Sequence, residues 1–124
     1  MSISNYAEAA ILNAIFNNVA LQKANRYVKL HTGDPGEDCT ANAATETTRK
    51  SLTGAAAVSG AGTFTSVNDL IWTNVAATEA YTFVSIWDDP TAGNALWSGS
   101  LTANPVTAGD TFTIPTGSLV VTLS

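Results

Sequence analysis

The chain has 124 residues, of which 45% are hydrophobic and only 12% charged, with a formal net charge of −5. That length suffices for one hydrophobic core. The five basic residues, Lys23, Arg26, Lys29, Arg49 and Lys50, form no dense run, which argues against the cationic surface that nucleic-acid binding requires.

The charged share is about half of the roughly 25% usual in globular proteins. A surface built instead from hydroxyls, amides and methyls suits a subunit covered by neighbours. It equally suits an ordinary extracellular β domain. Cys39 is the single cysteine, so an internal disulfide is impossible and stability must come from packing or association. The opening MSISNYAEAAILNAIF is apolar but lacks a basic segment, contains Glu8 and offers no convincing cleavage site. No signal peptide is expected. No apolar run approaches the ~20 residues needed to cross a bilayer, so no membrane partner is expected either.

Residues 4–18 predict a helix. Ser4 or Asn5 can cap it, and Asn5 with Glu8 has the spacing of a capping box. Ile11 and Ile15 fall on one stripe near Ala7 and Ala14, and Leu12, Phe16 and Val19 widen it to nearly half the circumference. A helix this apolar must be covered on more than one side. It docks on its own sheet, and part of it is also expected to meet another subunit.

Residues 26–32 alternate as a strand, with Val28 and Leu30 inward and Tyr27, Lys29 and His31 outward. A long loop follows over 33–48, opened by the turn formers Gly33, Asp34, Pro35 and Gly36. Contacts to a neighbour are expected there. Short strand candidates come next at 52–58, 62–67, 69–75, 81–87, 95–101, 110–114 and 118–123, the first two weakened by small residues. In the 81–87 run Tyr81, Phe83 and Trp87 share one face, and Val84 and Ile86 the other. Pro90, Gly93 and Asn94 mark the turn to 95–101. The spacing predicts a mainly β fold, an antiparallel β-sandwich with one N-terminal α-helix. The chain reads as one domain over 1–124, with helix 4–18 and sandwich 26–124.

Catalytic patterns are scarce. His31 is the only histidine, and no nucleophile elbow accompanies it. Cys39 sits in an acidic loop, which raises a thiol pKa and makes it inert. The acidic groups Asp34, Glu37 and Asp38, and Asp88 and Asp89, lack the spacing of a calcium loop and read as turn formers, as does Asp110. No phosphate loop, dinucleotide fingerprint or zinc spacing is present. No metal or cofactor is expected. Trp72, Trp87 and Trp97 could build a sugar-stacking platform, but core or cross-strand packing explains them more simply.

Several segments, in order, resemble a family of small bacteriophage virion structural proteins, commonly labelled tail-fibre-like or uncharacterised. They are Ser2-Ile3-Ser4-Asn5-Tyr6 and Tyr27-Val28-Lys29-Leu30-His31-Thr32-Gly33-Asp34-Pro35-Gly36, similar to the family's YVALHTxDPG. Phe83-Val84-Ser85-Ile86-Trp87-Asp88, Gly93-Asn94-Ala95-Leu96-Trp97-Ser98-Gly99, Ala108-Gly109-Asp110-Thr111-Phe112 and Leu119-Val120-Val121-Thr122-Leu123 complete the set. Members often carry a Glu and then Tyr-Ala-Arg after the long loop. Glu46 and Arg49 remain here without the Tyr-Ala pair, which implies a remodelled loop. The resemblance implies a virion protein and supplies no catalytic residues; the N-terminus without a signal peptide makes synthesis in the host cytoplasm the expectation.

The chain lacks shaft repeats and heptads, so a capsid decoration (cement) protein on the head is the leading expectation. A tail or tail-fibre component or adaptor is the alternative, and a carbohydrate-binding domain or hydrolase the third. Expected partners are copies of itself, as a homotrimer, and the major capsid protein or tail proteins. Tyr6, Ile11 and Ile15 on the helix, and Asp34, Glu37 and Asp38 in the loop, are the expected interface residues.

Overall fold

In the computed structural model, residues 2–21, 25–52 and 62–122 are described. The elements run β1 (Ser2–Ile3), α1 (Asn5–Phe16), β2 (Tyr27–His31), β3 (Lys50–Ser51), β4 (Thr63–Thr65), β5 (Leu70–Trp72), β6 (Glu79–Trp87), β7 (Ala95–Val106), β8 (Phe112–Ile114) and β9 (Val120–Thr122). A five-stranded sheet has the order β1-β7-β6-β2-β3. Two ribbons, β4-β9 and β5-β8, complete the strands, and every pairing is antiparallel. Val28, Leu30, Tyr81, Val84, Ile86 and Leu96 of the large sheet join Leu70, Trp72, Phe112, Ile114 and Val121 of the ribbons in one core. The fold is therefore mainly β and antiparallel with one N-terminal helix, as the strand spacing predicts. The 52–58 strand candidate lies mostly outside the described residues. The two-residue strands β1 and β3 have no sequence signal of their own, because two residues show no alternation.

The helix is shorter than the predicted 4–18. Ser4, not Asn5, caps it: its hydroxyl accepts from the Ala7 amide at 3.1 Å and donates to the Ala95 carbonyl. Its amide also donates to the Leu96 carbonyl at 2.9 Å, so one serine starts the helix and fastens it to β7. Asn18, in the left-handed region at φ 53°, ends it.

The expected faces of the 81–87 run need correction. Tyr81 packs in the same core as Val84 and Ile86 rather than sharing a face with Trp87. The register between β6 and β7 shifts between Tyr81 and Phe83, and again between Ile86 and Trp87. A bulge breaks the two-residue alternation, so residues on either side of it exchange faces.

Candidate functional site

Trp87 organises the surface where the 33–48 loop, the start of α1 and the 88–94 turn meet. Its ring is buried against Cys39 and Ala95. The Arg49 guanidinium lies over it, 4.1 Å from the ring centroid, and the Lys29 ammonium stands 5.6 Å away. Arg49 Nη1 then donates to the carbonyls of Asp89 and Ala92, both at 2.8 Å. Burial lowers the pKa of Arg49, while Asp89 and Asp88 oppose that shift. One cation thus clamps the whole turn.

The turn also holds itself. Asp88 accepts from the Asn94 amide at 2.7 Å, and Asp89 from the amides of Thr91 and Ala92 at 2.9 and 2.8 Å. Those amide bonds hold the Asp89 carboxyl below its ordinary pKa. Gly93 is required: its φ is +76°, and a Cβ there would strike the Asp88 carboxylate and the Asp89 side chain. Arg49→Ala is expected to cost about 1–2 kcal/mol by leaving two carbonyls short of a donor. Arg49→Lys should recover little, because an ammonium cannot stack and fork as a guanidinium does. Urea melts of the three proteins check this.

Beside the turn is a shallow cleft of ≈240 Å³ that Tyr6, Glu37, Asp38, Thr40, Trp87 and Asn94 help to line. Asp38 Oδ1 accepts from Asn5 Nδ2 at 3.3 Å, tying the loop to the first helical turn. Asp34 instead serves its own turn, accepting from the Gly36 amide at 2.9 Å. Cys39 is buried, and burial first, with Asp38 and Asp34, pushes its thiol pKa up. This is the direction expected for an inert thiol.

His31 overturns its expected outward setting: it is 0% exposed. The loop folds back over it, with an antiparallel bridge from His31 to Ala43. Nδ1 lies 3.0 Å from the Ala41 carbonyl and Nε2 2.7 Å from Ser85 Oγ, which also accepts from Trp87 Nε1 at 2.8 Å. A carbonyl only accepts and an indole N–H only donates. Nδ1 therefore carries a proton, and in the neutral imidazole, which burial favours, Ser85 donates to Nε2. The pairing has the distance of a nucleophile and base, but Ser85 is also 0% exposed, and its hydroxyl is engaged with both the imidazole and the indole. The network ties β2, β6 and the loop together out of reach of solvent.

Among the described residues, no three His, Cys, Asp or Glu side chains group as a metal site, and no helix is long and apolar enough to cross a membrane. Trp72 and Trp87 are buried and Trp97 is half-buried, so the three do not form an open platform. Over residues 2–122 the chain matches the family model described as Podophage GP4 fiber I protein gp80. The chain belongs to this family. It is a small, tail-fibre-like phage virion structural protein. A comparison with curated proteins gives no match.

Within this gp80 family member, the expected interface residues divide into two groups. Tyr6, Glu37 and Asp38 meet at the cleft beside Trp87, and Asp34 lies in the same loop but turned to its own backbone. Ile11 and Ile15 lie further along α1, Ile11 half-buried and Ile15 exposed. Sequence reasoning passed over Ser85 and Glu79. Glu79 accepts from the amides of Thr45 and Glu46, while Glu46 accepts from those of Thr48 and Ala76. The two carboxylates knit the end of the loop to β6 and its approach. Apart from Thr48, two residues from Glu46, their partners are backbone amides distant in sequence, which leave no motif.

Proposed function

We propose that this chain is a non-enzymatic component of the phage tail fibre. The observation that carries the reading is the family match over residues 2–122, whose description is a fibre protein. It favours the tail-fibre alternative over capsid decoration, which rested on the absence of shaft repeats, the sparse charge and the apolar helix. A short folded unit without shaft repeats suits a fibre module or adaptor joined to other tail proteins. The buried His31–Ser85 pair and the closed Trp72 and Trp87 rings support a structural rather than catalytic role.

Antibody labelling of intact virions, read by electron microscopy, tests this directly. Label is expected at the tail. Label spread over the head surface, with none at the tail, would return the decoration reading.

A further inference from the structure

The long loop covers the sheet with little packing of its own. Between residues 33 and 44 only Pro35, Cys39 and Ala44 are buried. Its backbone enters the left-handed region at Cys39 (φ 57°) and Asn42 (φ 52°), where a side chain is strained. Asn42 offsets that strain with a bond to the Asp34 carbonyl at 2.7 Å, whereas Cys39 is held there by the closed loop. The contacts that hold the segment down converge on His31. The Ala41 carbonyl takes the Nδ1 proton, and Ala43 bridges the His31 backbone. On either side, Thr32 donates to the Asn42 carbonyl at 2.9 Å and Ala44 to the Leu30 carbonyl at 3.1 Å. Through Nε2 the same ring bonds Ser85, and Ser85 bonds Trp87, against which Cys39 packs. Both ends of the segment are fastened separately. The five pairs of β2 with β6 hold one, and the Glu79 carboxylate, on the amides of Thr45 and Glu46, holds the other. The segment can therefore lift between fixed ends without undoing the sheet.

We propose that residues 33–44 form an acid-released flap: neutral His31 latches it closed, and a proton on Nε2 opens it, uncovering Cys39 and the Trp87 ring while the sheet stays folded. The charged groups that face His31 give the latch its sign. Lys29, two residues before it on β2, and Arg49, on the approach to β3, are both cations and both oppose a further positive charge. β6 faces the ring with Phe83 and Ser85, neither of them charged. The flap's own carboxylates are engaged elsewhere, Asp34 with the Gly36 amide, Asp38 with Asn5 Nδ2, and Glu37 on the wall of the cleft. An imidazolium under the closed flap thus meets two cations and a hydroxyl, and lifting the flap gives it water instead. Opening also relaxes the backbone at Cys39. The effect reaches the cleft beside Trp87, because Glu37, Asp38 and Thr40 of the flap build one side of it. The device is independent of where on the virion the chain sits.

Thiol labelling of the purified full chain tests the proposal, because Cys39 is the only cysteine and is 1% exposed. A dipyridyl disulfide reacts in weak acid as well as at neutral pH. Each rate is divided by that of the urea-unfolded chain at the same pH, so the ratio reads the open fraction. The ratio should be small and level above neutral pH, and rise about tenfold between pH 7.5 and 5.5. Amide exchange, normalised in the same way, should rise with it in residues 36–44 and stay level in β6 and β7. His31→Gln, which does not titrate, should give one labelling ratio across the range. If that variant fails to fold, Ser85→Ala takes its place. Without the donor to Nε2 the neutral latch is weaker, and the ratio at pH 7.5 should already exceed that of the wild type. A wild-type ratio that stays level from pH 7.5 to 5.5 overturns the proposal. So does a rise shared equally by β6 and β7, which would mean that acid unfolds the whole chain rather than the flap. A His31→Gln chain that keeps the wild-type pH response, or a Ser85→Ala chain as protected as the wild type, overturns it as well.

Discussion

Replacing Trp72 with alanine is expected to cost about 3–5 kcal/mol, a large part of the 5–15 kcal/mol that holds a typical domain folded. Trp72 is 1% exposed and occupies the centre of the core. Its ring lies 5.7 Å from Phe112, which in turn meets Tyr81 edge-on at 5.0 Å. That stack joins the β5-β8 ribbon to the large sheet. The ribbon has three residues in each strand and, among the described residues, pairs with no other strand, so packing must hold what hydrogen bonds do not. Trp72 Nε1 also donates to the Thr48 carbonyl at 2.7 Å, fixing the end of the long loop. Trp72→Phe keeps much of the apolar area but leaves that carbonyl without its donor. It should cost about 1–2 kcal/mol for the bond alone, plus a smaller packing loss. Urea denaturation of the three proteins separates the two contributions. A Trp72→Ala midpoint close to wild type would show that the core closes over the gap.

The second large effect is on pH. Burial, helped by the nearby Lys29 and Arg49 cations, lowers the pKa of His31 below its ordinary value of 6.5, against an opposing bond to Ala41. The folded state therefore prefers the neutral imidazole. Above the unfolded value that preference costs nothing, and stability is complete. As pH falls below about 6.5 the unfolded chain takes up a proton that the folded chain refuses, and stability declines by at most about 1.4 kcal/mol per pH unit. The decline stops once the folded-state pKa is passed. Protonated Nε2 would have to donate to Ser85 Oγ, which already accepts from Trp87, and the Ser85 proton would lose its acceptor. His31 is the only histidine, so melts between pH 7.5 and 5.5 report on this group above all. His31→Phe should be less stable at neutral pH, because it strands the Ala41 carbonyl and the Ser85 hydroxyl. It should also lose the pH dependence in that window. A wild type whose melting temperature is flat from pH 7.5 to 5.5 would contradict the buried network.

Much of this protein could be read before any coordinates. Apolar–polar alternation located β2, and apolar runs between turn formers located β6, the first half of β7 and the short strands near the end, because strand and turn preferences are set locally. Asp34, Asp88, Asp89 and Asp110 read as turn formers, and each bonds backbone amides close by in sequence, which is why local pattern sufficed. The ordered segments of the family resemblance likewise pointed to a phage virion protein. What local pattern could not carry was any choice made by residues far apart. His31 looked outward until the loop closed over it, since the cover comes from Ala41 and Ala43, ten and more residues on. Tyr81 changed face because of a bulge, which depends on the partner strand β7. Both stripes of α1 are apolar, so periodicity alone could not choose between them. The close approach to β7 admitted the alanines and turned Leu12, Ile15 and Phe16 to the outside. Apart from the two-residue strands β1 and β3, sequence determined which described segments are strand, helix and turn, because those preferences are set within a few residues. Alternation gave the inward Val28 and Leu30 of β2, but only the tertiary structure decided the burial of His31 and the buried faces of β6 and α1, because burial belongs to the pair of surfaces that meet.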